Sequence, residues 1–353
     1  MVERYFDNAA TTPVDARVID EMLPYFGEWF GNANSIHDPG RRAKAAVDLA
    51  RERVASLIGA EDPSQIIFTS GATEANNWVL SKFAGSTTVI SPFEHSSVRE
   101  TAIHFGNQML ANEGYRLHPA PVGAELVSVM SVNNETGAIL EFPDSPGALR
   151  HSDITQQVGK LPVNLKGLAF ASFSGHKFYG PKGVGALYLA DPTLEPLHFG
   201  GEHEDGLRAG TLNVPGIMGM GAAALIAQEE LEANLQHVQI LRALVLQGFE
   251  NVSDVQLNSA SAASPYIVSV SFLGVEGETL VIELDRAGFS VSSGAACSSK
   301  STEPSHVLTA LGKTLPWIRG TIRISFGKYN TEAAAADLTK EIRKVVEKLR
   351  TMH

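Results

Sequence analysis

Residues 170–188 read F-A-S-F-S-G-H-K-F-Y-G-P-K-G-V-G-A-L-Y. The apolar runs Leu168–Phe173 and Ala186–Leu189 predict two buried strands, and the glycines and proline between them predict a tight connection. Lys177 follows the first strand beside a histidine and small residues, where partial burial would disfavour its ammonium form. A lysine held in this way can act as a nucleophile toward an aldehyde.

The same stretch does not fit two common phosphate-binding patterns. Pro181 stands where a Walker A loop has its lysine, and Gly183-Val184-Gly185 lacks the third glycine of a dinucleotide fingerprint. Taken alone, the stretch is also compatible with a glycine-rich hairpin that carries a surface lysine, because loop lysines are common.

Composition limits the class of protein. The chain has 353 residues, 44% of them hydrophobic and 19% charged, which suits a globular protein with a large domain and a smaller one. The net charge of −11 argues against a broad nucleic-acid or anionic-membrane surface. We find no signal-peptide core and no apolar stretch long enough to span a membrane. Because Cys297 is the single cysteine, no internal disulfide can form, and we expect a cytoplasmic location.

The segment Ser174-Gly175-His176-Lys177, followed by G-P-K-G-V-G, resembles the cofactor-lysine segment of cysteine desulfurases. These enzymes depend on pyridoxal 5′-phosphate (PLP) and belong to the class V aminotransferase group of fold type I. The resemblance implies that Lys177 binds PLP, with Ser174 and His176 beside the cofactor. It extends over nearly the whole chain, with the family's motifs in their usual order.

The implied fold class is α/β, the PLP-dependent transferase fold type I. It has a mainly parallel seven-stranded sheet in a large domain and a smaller α+β C-terminal domain. We expect residues 14–235 to form the large PLP-binding domain, and residues 1–13 and 236–353 to form the small domain with the cysteine loop. The sequence predicts helices over about Asp15–Phe26, from Pro39 onward, where apolar residues recur every three or four positions, and from Pro215 to about Val252, the last bridging the two domains.

A phosphate site is predicted after the strand Gln65–Thr69. Small residues there, including Ala72 and Thr73, open a helix whose free backbone N–H groups and positive dipole end favour an anion. The hydroxyl of Thr73 can add a hydrogen bond. An ordinary helix cap by Ser70 or Thr73 is the alternative interpretation.

Four further residues match cofactor contacts of the family. Asp153 would keep the PLP ring nitrogen protonated, which the cofactor needs in order to accept electrons. Gln156 would reach the phenolic oxygen of the ring, and His95 would stack on the ring. Asn134 follows the predicted strand Leu126–Val132 and would contact cofactor and substrate. Taken singly, Asp153 could be a solvated or capping residue and His95 a surface or core residue.

Residues 198–211 resemble the family's G-G-G-x-E-x-G-x-R-x-G-T loop, whose final threonine reaches the phosphate of the other subunit. Thr211 therefore implies a homodimer with shared active sites. The glutamates and histidines of this loop could also be interpreted as a metal cluster. They lack a regular ligand spacing, and we expect no metal.

Two residues point to sulfur chemistry and to the substrate. Cys297 lies among serine, glycine and alanine, which bury little apolar surface and predict a mobile loop. This loop resembles that of the desulfurase subgroup with a long, flexible cysteine loop. Arg323, in the middle of the predicted strand Thr321–Phe326, could clamp a carboxylate with two parallel hydrogen bonds. The family uses the matching arginine for the substrate carboxylate; an exposed arginine on an edge strand is the alternative.

The resemblance implies a cysteine desulfurase, a sulfurtransferase that converts L-cysteine to L-alanine. Lys177, Cys297 and His95 would be catalytic, with His95 or His176 moving protons. A persulfide on Cys297 would pass to a sulfur-acceptor protein, such as an iron–sulfur scaffold or a sulfur carrier. The alternatives are a selenocysteine lyase or another class V PLP enzyme, and an inactive PLP-binding scaffold protein. Cys297 favours sulfur transfer, because an aminotransferase has no need of it.

Residues 114–152 are short for this family. Little room remains for helices between Val122 and Leu126 and between Phe142 and His151. We therefore expect the sheet to lose part of its outer layer and to be more exposed in this region.

Overall fold

The structure is a computed structural model, and it describes residues 2–84, 87–190, 192–260, 262–294 and 303–351. Its strands, in chain order, are β1 (Ile66–Thr69), β2 (Thr88–Ile90), β3 (Gln108–Met109), β4 (Asn112–Glu113), β5 (Arg116–Leu117), β6 (Leu126–Ser128), β7 (Leu149–Asp153), β8 (Phe170–Ser174), β9 (Gly185–Leu189), β10 (Val255–Leu257), β11 (Ile267–Phe272), β12 (Ser292–Ser293) and β13 (Thr321–Ser325). Its α-helices are α1 (Ala16–Met22), α2 (Pro24–Gly27), α3 (Asp38–Ile58), α4 (Ala72–Lys82), α5 (Ser96–His104), α6 (Val214–Phe249), α7 (Gly277–Arg286), α8 (His306–Ala310), α9 (Leu315–Arg319) and α10 (Glu332–Thr351).

A seven-stranded sheet has the order β1-β9-β8-β7-β6-β2-β3. Strand β9 is antiparallel to both of its neighbours, and the pairs from β8 to β3 are all parallel. This arrangement confirms the predicted mainly parallel sheet. The two predicted strands of the lysine stretch are β8 and β9, which are fully buried and pair Phe173 with Ala186 and Ser174 with Gly185.

Helices cover both faces of this sheet. One face packs against α3 and the first half of α6, and the other packs against α4 and α5 through residues such as Trp78 and Phe170. The helices α3 and α6 pack closely at Gly221. A Cβ atom at this position would lie 2.6 Å from the Cα atom of Ala50, which is too close for any side chain. The single helix predicted over Asp15–Phe26 is wrong: Pro24 begins a new helix, and the segment forms α1 and α2 instead.

A second sheet is antiparallel and has the order β10-β11-β13-β12. Its core includes residues of α7 and α10. The long helix α6 contributes to both cores, with Ile217 to Ala227 in the first and Val238 to Phe249 in the second. It therefore links the two sheets, while the domain boundaries at residues 13 and 235 stay a prediction.

Residues 118–125 and 129–148 connect their strands without a helix, as the short sequence of this region predicts. Strand β6 ends at Ser128, so the strand predicted to reach Val132 is shorter than expected. The expected exposure of the sheet is wrong at Val127, which is fully buried. Its cluster includes Leu117 from β5 and Val307 from α8, which replace the missing outer helices.

No helix in the described residues has the length and apolar character that crossing a membrane requires.

Candidate active site

A cavity of about 370 Å³ lies at the carboxyl ends of β7 and β8, beside the first turn of α4. Strand ends of this kind are the usual ligand-binding edge of an α/β sheet. The walls include the predicted site residues Ala72, Thr73, His95, Asn134, Asp153, Gln156, Ser174, His176, Lys177 and Arg323. Side chains as distant in the chain as Asp7 and Arg323, which are 316 positions apart, therefore meet in one space.

Two predicted residues are not among these walls. Thr211 is exposed at the surface. Cys297 lies outside the described residues, and so does the rest of its loop from residue 295 to residue 302.

Lys177 ends a single 3₁₀ turn that directly follows β8. Its Nζ atom donates to the carbonyl oxygen of Ala9 at 2.7 Å and to that of Ala10 at 2.6 Å. These two carbonyls belong to the N-terminal D-N-A-A segment, which forms one wall of the cavity. The alternative of a plain surface lysine is therefore wrong, because Lys177 is partly buried and points into this wall.

Asp153 is buried at the end of β7. Its Oδ2 atom accepts from Nδ2 of Asn76 at 2.8 Å, and its Oδ1 atom accepts from the backbone N–H of Thr155 at 3.0 Å. The ring of His151 lies nearby between the hydroxyls of two serines, and burial lowers the pKa of His151 to about 4. The aspartate is therefore neither a solvated residue nor paired with a charged histidine. Sequence reasoning missed Asn76, since one asparagine in a helix carries no distinctive signal.

His95 has a defined tautomer. The backbone N–H of Ser97 donates to His95 Nδ1 at 3.1 Å, so Nδ1 accepts and the proton of the neutral ring is on Nε2. Burial lowers the pKa of His95, which favours the neutral ring. Burial and the nearby Lys177 likewise lower the pKa of His176 to about 4, and its Nδ1 atom contacts the Thr11 hydroxyl at 3.0 Å.

The first turn of α4 forms the other end of the cavity. Gly71 is the N-cap, and neither Ser70 nor Thr73 caps this helix with its side chain, so the alternative of an ordinary cap by Ser70 or Thr73 is wrong. The backbone N–H of Ala72 donates to Ser174 Oγ at 2.7 Å, which ties the helix to β8. A first turn without a cap from its own N-cap residue fits an anionic group such as a phosphate.

Arg323 is only 3% exposed, and its strand β13 lies between β11 and β12. The alternative of an exposed arginine on an edge strand is therefore wrong. Its Nη1 atom donates to the carbonyl oxygen of Asn134 and its Nη2 atom donates to Oδ1 of Asp7, both at 2.8 Å. Its Nε atom is buried without a hydrogen-bond partner among the described residues. A carboxylate in the cavity would satisfy this donor.

The loop before α6 is held by two ion pairs. Arg51 pairs with the buried carboxylate of Glu204 at 2.6 Å, and Arg208 pairs with Glu74 at 2.9 Å. Glu204 also accepts from the backbone N–H of Phe68 at 2.8 Å. Among residues 2–84, 87–190, 192–260, 262–294 and 303–351, no cluster of three or more histidine, cysteine, aspartate or glutamate residues could hold a metal.

The cavity suits PLP in the chemistry of the side chains that line it. The N-terminal end of α4 for a phosphate, a buried carboxylate for a ring nitrogen and an amine for an aldehyde face one space. Thr155 also lines the cavity, and its buried hydroxyl has no partner in the described part of the chain. The residues present therefore fit this cofactor.

Comparison with known families identifies the chain. The model of the family "Aminotransferase class-V" matches residues 4–338. The chain belongs to this family. Class V aminotransferases of this kind depend on PLP, the cofactor that the lysine segment predicts.

Individual relatives are similar over nearly their full length. The chain is 39% identical to a protein named cysteine desulfurase IscS from Dictyoglomus turgidum, which aligns with 99% of this chain and 96% of its own length. It is 40% identical to a protein of the same name from Pectobacterium carotovorum, over 99% of this chain and 94% of that protein. A solved structure titled NifS-like protein superposes with a TM-score of 0.88 at 36% identity and covers 98% of this chain and 100% of its own.

Proposed function

We propose that this protein is a PLP-dependent cysteine desulfurase that converts L-cysteine to L-alanine and passes the sulfur to an acceptor. The observation that carries the proposal is the convergence of Lys177, Asp153 and Arg323 on one cavity in a chain of this family. The names of the relatives support the same reaction.

Each wall of the cavity would hold one part of the cofactor. Lys177 would bind PLP covalently, and the first turn of α4 with Thr73 and Ser174 would bind its phosphate. Asp153 would keep the ring nitrogen protonated, and Gln156 would donate to the phenolic oxygen. PLP supplies an electron sink that stabilises negative charge at the α-carbon of the substrate.

The remaining residues would bind the substrate and move its protons. Arg323 would hold the carboxylate of L-cysteine, using the Nε donor that has no hydrogen-bond partner in the described part of the chain. Asn134 lies against Arg323 and would orient the same end of the substrate. Lys177 Nζ would take the proton from the α-carbon, and the proton on His95 Nε2 would be available to the substrate's sulfur or carbon.

Cys297 would receive the sulfur. Its thiolate attacks the sulfur of the substrate, an S–S bond forms and the C–S bond of the substrate breaks. The β-carbon left behind takes a proton, the α-carbon regains the proton that Lys177 removed, and alanine leaves, so that one cysteine and the enzyme thiol yield alanine and a persulfide. The acceptor protein then takes the outer sulfur, and an iron–sulfur scaffold or a sulfur carrier is suited to this step.

We also propose that the enzyme is a homodimer with shared active sites. Thr211 is exposed and not in the cavity of its own chain, as expected for a residue that serves the other subunit. Large exposed apolar side chains near the N-terminus, including Leu23, Phe26, Phe30 and Ile36, would be covered by a second copy. A cytoplasmic location would keep the thiol of Cys297 reduced between turnovers.

The test measures alanine and sulfide formed from L-cysteine with a thiol reductant, in the intact protein and in Cys297→Ala. Alanine from the intact protein and almost none from Cys297→Ala is the expected result. Lys177→Ala should abolish both products, whereas Lys182→Ala, which changes an exposed lysine of the same connection, should not. Equal alanine from the intact protein and Cys297→Ala would overturn the persulfide role and favour a lyase. No alanine from PLP-loaded protein would favour an inactive scaffold.

A further inference from the structure

Lys160 is a buried lysine that the proposed reaction does not use. It is 5% exposed, and no ion pair in the described part of the chain includes it. Burial lowers its pKa to about 7, and the nearby positive charges of Lys177 and Arg323 act in the same direction. Burying an amine without a carboxylate partner is costly, so such a residue needs an explanation.

The contact of Lys160 explains its position. Its Nζ atom donates to the side-chain oxygen Oε1 of Gln156 at 2.8 Å, four residues earlier in the chain. Gln156 lies in the wall of the cavity, while Lys160 lies behind that wall. The lysine therefore contacts the site through the amide of Gln156.

The amide of Gln156 is held at both ends. Its nitrogen Nε2 donates to the carbonyl oxygen of Ala9 at 2.9 Å, and its oxygen accepts from Lys160. A carbonyl oxygen can only accept, and the protonated form of Lys160 can only donate. If the amide were rotated by half a turn, its oxygen would face the carbonyl oxygen of Ala9, and both are acceptors. Its nitrogen would then face the ammonium of Lys160, and both are donors. Both neighbours therefore select the same orientation, with one N–H of Nε2 left over.

We propose that Lys160 is a positioning residue, which fixes the amide of Gln156 so that its remaining N–H donates to the phenolic oxygen of PLP. This inference rests on the proposed binding of PLP in the cavity. Hydrogen-bond donors stabilise an anionic oxygen, so the orientation of this amide sets how readily the bound cofactor loses its proton.

The test compares Lys160→Met with the intact protein, both loaded with PLP, by following the visible absorbance of the cofactor over a pH series. Methionine keeps most of the side-chain volume and removes the donor. The apparent pKa of the bound cofactor should rise by about one unit, a tenfold change in the equilibrium. The matched control is Lys166→Met, which changes an exposed lysine of the following loop and should leave this pKa unchanged.

A double variant separates positioning from charge. In a Gln156→Met background, replacing Lys160 by methionine should no longer move the pKa of the cofactor. A shift that persists in that background would show that Lys160 acts directly by its charge, and this would overturn the inference. No shift in Lys160→Met with PLP bound would also overturn it. Failure of the intact protein to bind PLP would overturn the proposed function together with the inference.

If Lys160→Met does not fold, the variant Gln156→Glu provides a second test. Gln156→Glu can still accept from Lys160, but it has no N–H for the phenolic oxygen. We expect the cofactor pKa to rise in this variant too, and an unchanged value would overturn the inference.

Discussion

Replacing Lys160 by methionine should change how the stability of the cofactor-free protein depends on pH. The pKa of Lys160 falls from 10.5 to about 7 on folding because the amine is buried. Between these two values the unfolded chain binds a proton that the folded chain does not, so the free energy of unfolding rises with pH. From about pH 7 to about pH 9 the rise attributable to this one group is about 2 kcal/mol.

Methionine does not titrate, so Lys160→Met should lack this rise and should be more stable than the intact protein near neutral pH. Urea unfolding at the two pH values, at one protein concentration, gives both free energies. Buried acids such as Glu94 and Glu135, whose pKa values burial raises, change the stability in the opposite direction. They are present in both proteins and cancel in the comparison. An equal change with pH in the two proteins would refute the reasoning.

Three further changes test other contacts of the fold and the site. Arg323→Lys keeps the charge but loses the buried Nε donor that would hold the substrate carboxylate, so KM for L-cysteine should rise about tenfold or more, with cofactor absorbance retained. Asn76→Leu removes a donor to Asp153 and should weaken PLP binding about tenfold, measured by fluorescence titration of the cofactor-free protein. Glu204→Ala leaves a largely buried arginine without its partner and should cost about 3 kcal/mol in urea unfolding. Its control Asp48→Ala, which breaks an exposed pair, should cost less than about 1 kcal/mol. An unchanged KM in Arg323→Lys would contradict the argument for Arg323, and an unchanged PLP affinity in Asn76→Leu would contradict the argument for Asn76. Equal losses of unfolding free energy in Glu204→Ala and Asp48→Ala would contradict the argument for the buried ion pair.

The sequence predicts most of the fold because its signals are local. The buried strands β8 and β9 follow from two apolar runs, and the helix α3 follows from one apolar face that repeats every three or four residues. The break at Pro24 was also readable, since proline cannot continue a helix interior. The end of β6 at Ser128 could not be predicted from the sequence, because it depends on which backbone groups the neighbouring strands offer for hydrogen bonding.

The candidate site was predictable where family motifs mark it and not where distant segments meet. Lys177 and Asp153 stand at the ends of apolar strands, and their convergence follows from a parallel sheet. The pairing of Arg323 with Asp7, 316 positions apart, has no local signal. The burial of Arg323 depends on β12 covering the outer edge of β13, which the pattern of one strand cannot reveal. The contact of Lys160 with Gln156 likewise could be recognised only from the three-dimensional structure.

The N-terminal segment has a consequence for synthesis on the ribosome. Phe6 and Asn8 hydrogen-bond to the backbone of Ser325 in β13, and the carbonyls that follow hold the amine of Lys177. Asn8 thus leaves the ribosome 317 residues before Ser325, its partner in β13. A nascent chain that has finished the seven-stranded sheet still lacks one anchored wall of its cavity. Cofactor loading should therefore be a late, post-translational event, and protein cut short before β13 should retain PLP poorly.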